Sequence, residues 1–150
     1  MDTLPPGFRQ FLIRARRATS AVCRAESGPA ESAPRDVHYE EDDGWRYTDS
    51  NLGGMRLTGQ EIVWKNGPPV WALNYCGRVV GDNFSGEFLA KALRHVTPDA
   101  PYRGPIEYQK GPLLYCNMFA GDIAWFYGRE EMFASGVSVY ECIYHGGAVR

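Results

Sequence analysis

At 150 residues, 44% of them hydrophobic and 13% aromatic, the chain is long enough for one well-buried core and short for two, so it is read as a single domain. A formal net charge of -2 and a pI near 5.9 argue against a general nucleic-acid or anionic-membrane binder, which carries a basic balance. No stretch approaches the roughly 20 consecutive apolar residues of a bilayer span, and four scattered cysteines, Cys23, Cys76, Cys116 and Cys142, without a C-x-x-C pair or a leading apolar run, predict reduced thiols in a cytoplasmic protein.

Pro5-Pro6 is compatible with entry into a helix. Phe8, Phe11, Leu12, Ala15, Ala18 and Val22 then recur at three- and four-residue intervals. This predicts an amphipathic helix reaching Cys23 and docking on a sheet, with Arg9, Arg14, Arg16, Arg17 and Arg24 on its polar face. Residues 25–36 turn to Ser, Pro, Ala, Gly and Glu, a composition that buries too little apolar area to offset ordering entropy, and predict a mobile loop. His38-Tyr39 suit a short strand before an acidic turn, Trp45 to Asp49 alternates as a half-buried strand, and Asn51 to Gly54 supplies a turn. Met55 to Lys65 reads as a second strand bent by a bulge at Gly59, and Val70 to Arg78 as a third. The period is helical again from Phe84 to Val96. Prolines stiffen Thr97 to Pro105 with Tyr102 and Arg103 at the tip, and Leu113–Asn117, Ile123–Phe133 and Val137–His145 repeat the meander.

A shift of 69 positions carries Gly59, Glu61, Gly67, Val70, Tyr75, Gly77 and Val80 onto Gly128, Glu130, Gly136, Val139, Tyr144, Gly146 and Val149, with Trp64 and Trp71 falling on Phe133 and Tyr140. The expectation is an α+β domain in which a helix plus a three-stranded antiparallel meander is used twice, about 8–80 and 84–149, with both helices packed on antiparallel sheet. The strand period puts Trp71, Leu73 and Tyr75 on one face with Tyr140, Cys142 and Tyr144, and leaves Asn74, Glu141 and His145 among hydrophobes on the other, read as a cleft.

Tyr47-Thr48-Asp49-Ser50, Gly53-Gly54, Gly59-x-Glu61, Pro69-Val70-Trp71, Asn74-Tyr75-x-Gly77, Pro101-Tyr102-Arg103-Gly104-Pro105, Gly121-Asp122, Trp125-Phe126, Val139-Tyr140-Glu141 and Tyr144-His145-Gly146-Gly147 together resemble an uncharacterised bacterial family of domains of unknown function. The resemblance covers about residues 8–149. Members of that family stand alone or behind an Xre-type helix-turn-helix, which implies a sensor or interaction role and carries no chemistry with it.

From the residues themselves, the first expectation is a small-molecule-binding or sensor domain. Its aromatic cleft is walled by Trp64, Trp71, Trp125, Tyr75, Tyr140 and Tyr144, with Asn74 and His145 beside it and Glu141 as acidic anchor, which suits a cationic or aromatic organic compound. The second is a small enzyme in which the repeat-related carboxylates Glu61 and Glu130, with His145, perform proton transfer or hold a metal. The third is a protein-interaction or antitoxin-like partner, with a homodimer through an exposed sheet edge. No cofactor is expected, no spaced His/Cys cluster marks a metal, and Cys142 and His145, three apart on a strand, point to opposite faces.

Overall fold

The computed structural model describes residues 3–19 and 35–149. The predicted mobile loop lies outside these residues up to position 34, as does the first helix beyond Thr19. Two helices, α1 (Phe8–Thr19) and α2 (Gly86–Arg94), accompany eight strands: β1 (Arg35–Glu40), β2 (Trp45–Gly53), β3 (Arg56–Lys65), β4 (Pro69–Val79), β5 (Glu107–Lys110), β6 (Leu113–Asp122), β7 (Trp125–Ala134) and β8 (Val137–Ala148). All eight join one antiparallel sheet in the order β1-β2-β3-β4-β8-β7-β6-β5.

The expected α+β class is therefore overturned. The fold is mainly β, with helices of 12 and 9 residues attached to a single large sheet, and each meander has four strands rather than three. The extra strands are the outermost ones. Glu-Tyr-Gln-Lys in β5 shows no apolar alternation because an edge strand buries little on either face. Strands also run past their apolar stretches, as where β6 continues through Ala120-Gly121-Asp122 in register with β7.

The strand order reads the same from either rim, and its centre is the directly paired Tyr75 and Tyr144 on β4 and β8. Each ring lies over a glycine of the neighbouring strand: a Cβ at Gly59 would sit 2.3 Å from the Tyr75 ring, and one at Gly128 2.3 Å from the Tyr144 ring. That seat, and not a bulge, is why Gly59 is glycine. It keeps register with Tyr75, and the irregularity of β3 falls between Val63 and Trp64. Between β7 and β8, Ser135 and Gly136 both have positive φ (49° and 79°), the two-residue turn whose twist matches that of the flanking strands.

Strand alternation divides the sheet into two unlike faces. The inner face buries Trp45, Tyr47, Val63, Trp71, Leu73, Tyr115, Phe126, Met132, Tyr140 and Tyr144 against Phe8, Phe11 and Leu12 of α1 and Phe88 and Ala92 of α2. Ser85 caps α2 by accepting a hydrogen bond from the Phe88 amide at 3.1 Å. After α2, residues 100–105 form a buried strap on the inner face, with the Tyr102 ring against Phe119 and Phe126 at centroid distances of 4.2 and 4.7 Å. Among the described residues, nothing comparable covers the outer face.

Candidate functional site

The middle of the inner face is polar. Glu61 on β3 and Glu130 on β7, related by the 69-residue shift, are 3% and 0% exposed. Burying carboxylates is costly unless each is paired, and two arginines provide the pairing. Arg16 of α1 donates from Nη2 to Glu61 Oε2 at 2.6 Å and also to the strap carbonyls of Pro101 and Tyr102. Arg103 of the strap donates from Nη2 and Nε to Glu130 Oε1 at 2.8 and 3.2 Å, and its Nη1 lies 3.7 Å from Glu61 Oε1. One guanidinium thus spans both carboxylates, with its carbon 4.5 Å from the centroid of the Tyr75 ring. Burial favours the neutral form of Arg103, but Glu130 and Glu61 outweigh it and hold the guanidinium protonated well above its ordinary range.

Phenols complete the cluster. Tyr115 and Tyr140 donate to Glu130, and Tyr115 also accepts from the Gly104 amide at 3.1 Å. Burial first, then the Glu130 charge, pushes both phenols well above their usual ionisation range. Across the centre, Tyr75 donates to Asp49 at 2.7 Å and Tyr144 to Asn117 at 2.6 Å. Asp49 faces Glu61 across β2–β3 as Asn117 faces Glu130 across β6–β7, so the two positions are equivalent and differ by one ionisable group. Burial, then the neighbouring Glu61, raises Asp49 from the ordinary 3.8 to about 6. Burial likewise pushes the Cys142 thiol up to about 12, with Glu130 adding to it, so Cys142 is a poor thiolate nucleophile.

The outer face carries a second group of residues. Trp125 and Tyr127 on β7, Ile143 on β8 and Met118 on β6 are 80%, 63%, 64% and 67% exposed. Register joins them: Ile143 pairs Arg129, which pairs Met118, and Tyr127 pairs the exposed His145. The equivalent positions of the other half-sheet hold Arg56 for Trp125, Thr58 for Tyr127, Asn74 for Ile143 and Ser50 for Met118. One backbone arrangement thus accepts either a polar or an apolar surface. Beside the apolar patch, Glu141 bridges Arg78 at 2.6 Å and Arg129 at 2.8 Å, and Arg129 also reaches Glu131 at 2.7 Å, so these charges neutralise one another.

The residues expected to wall one cleft are divided between these faces. Glu61, Trp71, Tyr75, Tyr140 and Tyr144 lie inside, whereas Trp64, Asn74, Trp125, Glu141 and His145 lie outside. Trp71 is wholly buried, stacked on Phe126 at 5.7 Å and donating from its indole to the Ile123 carbonyl at 2.9 Å. Trp64 lies under the Arg46 guanidinium at 4.2 Å, and Asn74 accepts from Gln60 at 2.8 Å. Glu141, proposed as an anchor for a cation, is engaged by two arginines of the chain. Glu61 and Glu130 do share a face, but His145 is on the other, so the three cannot ligate one ion; among the described residues no group of three or more His, Cys, Asp or Glu is placed to hold a metal.

Sequence reasoning missed Arg16, Arg103 and Asp49. Arg16 was assigned to the polar face of α1 yet is 5% exposed; its place one turn after Leu12 puts it at the border of the apolar stripe, the one available signal. For Arg103 the available signal is the prolines on either side, Pro101 and Pro105, which restrict the backbone of its segment.

A family model described as a domain of unknown function (DUF5680) matches residues 49–149. No curated protein and no solved structure matches the chain.

Proposed function

We propose, from the premise that this chain belongs to the DUF5680 family of domains of unknown function, that it is a protein-interaction domain whose partner docks on the outer face of the sheet around Trp125 and Tyr127. The observation that carries this reading is the exposure of Trp125, Tyr127, Ile143 and Met118 around Arg129 on one half-sheet, while the four equivalent positions of the other half are polar. Side chains this exposed bury little on folding, and clustered exposed apolar surface marks interaction sites. Small ligands take concave sites, whereas large side chains standing out from a sheet face suit a macromolecule. Arg78 and Arg129 beside the patch are bound to Glu141 and Glu131, and the whole chain carries -2, which favours a protein over a nucleic acid. The resemblance to bacterial domains found alone or behind Xre-type helix-turn-helix segments agrees with such a role. So does a cytoplasmic setting, in keeping with Cys76, Cys116 and Cys142 as free thiols. No described helix is long and apolar enough to cross a membrane.

Photo-cross-linking in native cells tests this. A photoreactive residue at Trp125 is expected to give a discrete adduct, whereas the same residue at Met55, 70% exposed at the β2–β3 turn, gives none. An adduct of twice the chain mass identifies the partner as a second copy. Equal labelling at both sites, or none at Trp125, overturns the reading.

A small organic ligand is a second reading, favoured by a groove of about 460 Å³ between the N-terminal segment and the β6–β7 turn. Leu4, Pro5, Phe8 and Ile123 give it apolar walls, and Arg9 and Asp122 give it charges of both signs. A thermal-shift screen of zwitterionic and amphipathic compounds tests it: a hit lost in Ile123→Asp supports the groove, and no hit removes it.

A further inference from the structure

We infer that Glu61, Glu130 and the Tyr75 ring form a preorganised guanidinium-binding site, filled by Arg103 of the strap, so that the chain supplies its own ligand. The argument concerns the inner face alone and does not depend on what docks outside.

A site is preorganised when its groups stay aimed without the ligand. Glu130 meets that condition because Tyr115 and Tyr140 both donate to it, and neither hydrogen bond involves Arg103. Glu61 meets it because Arg16 holds Oε2, leaving Oε1 turned towards Arg103. Tyr75 is seated over Gly59 and tied to Asp49, so its ring stays in place as the third wall. The bound group is recognised as a guanidinium and not merely as a positive charge. Two of its nitrogens donate to Glu130 Oε1, a third nitrogen lies on the Glu61 side, and its planar carbon lies over the aromatic face. An ammonium has neither the fork nor the flat face.

The strap is held by contacts other than the Arg103 side chain. Arg16 takes the carbonyls of Pro101 and Tyr102, Tyr115 takes the Gly104 amide, and Asn117 takes the Gly104 carbonyl at 3.1 Å. Shortening Arg103 therefore leaves a hole of guanidinium shape under a strap that still has its backbone partners. The occupant ties β3 to β7 across the central pair β4 and β8. The site thus adds a side-chain tie to the β4–β8 ladder that joins the two half-sheets.

The test is chemical rescue of the full chain. Arg103→Ala is expected to melt well below wild type, and millimolar methylguanidinium is expected to restore several degrees, about the shift that ligand occupancy gives a domain of this size. Methylammonium at equal concentration does not restore it, wild type does not respond, and adding Glu61→Gln weakens the rescue. If Arg103→Ala does not fold unaided, the folded yield on dilution from urea into each salt is read instead, and methylguanidinium alone is expected to raise it. Equal effects of the two cations, or no effect of either on melting or on yield, overturn the inference.

Discussion

At the residue scale the sharpest contrast is between Asp49 and Asn117, equivalent positions that each accept a hydrogen bond from a central tyrosine. Because the folded chain raises Asp49 to about 6 from an unfolded value near 3.8, the native state binds a proton more tightly than the unfolded state does. The associated stability is present below the unfolded value and is lost as pH rises through about 6. Asp49→Asn keeps an acceptor for Tyr75 and removes the charge, so it is expected to stabilise the domain near neutrality by on the order of 2–3 kcal/mol and to flatten the stability profile between about pH 4 and 7. Urea titrations of both proteins across that range check it; an unchanged profile shows that the proton is not taken up at Asp49. The Glu141 pairs, by contrast, lie at the surface, with arginines about half exposed and Glu141 23% exposed. Arg78→Ala is expected to change stability by no more than about 0.5 kcal/mol, measured the same way. Glu61 and Glu130 were visible in the sequence as a repeated acid, whereas their partners were not. An arginine at the rim of an amphipathic helix and one in a proline-rich connection both look solvent-facing until the tertiary arrangement brings a buried carboxylate to each.

At the element scale, the seats of Tyr75 and Tyr144 explain two glycines inside strands. Gly59→Ala and Gly128→Ala each place a methyl 2.3 Å from a fixed ring and are expected to cost about 1–3 kcal/mol by overpacking. Gly54→Ala, where a Cβ meets nothing within 4 Å, is expected to be near neutral in the same denaturation series. The sequence could show that an interior glycine has a reason, but two reasons compete, a bulge or a close approach, and only the register separates them. The central strands were legible because Trp71-x-Leu73-x-Tyr75 and Tyr140-x-Cys142-x-Tyr144 alternate. Of the rim strands, β1 was legible at His38-Tyr39 and β5 was not, since Glu107 to Lys110 buries too little to leave a pattern. Helix α2 carried its own start signal in Ser85, and its period followed.

At the scale of the whole molecule, a large sheet with one face covered and the other open tells apart residues that maintain the fold from residues that face a partner. Trp125→Ser with Tyr127→Ser is expected to shift the melting temperature little, since both rings are mostly exposed, and to abolish the cross-linked adduct. A large loss of stability would instead assign these rings to the core. Alternation showed which residues share a face; whether that face is covered depends on where the helices land, which no local pattern states. The single expected cleft overrode even the division that alternation supplies, since Trp71, Tyr75, Tyr140 and Tyr144 line the side opposite to Asn74, Glu141 and His145. The rims have a consequence of their own. They end in short strands with charges at their ends, Arg35, Asp36 and Glu40 at one side and Glu107 and Lys110 at the other, so a neighbour sliding in sideways to lengthen the ladder meets ionic groups on either rim. Ribbon-like growth is discouraged, light scattering of concentrated solutions is expected to show no filaments, and molecules that meet will do so broadside.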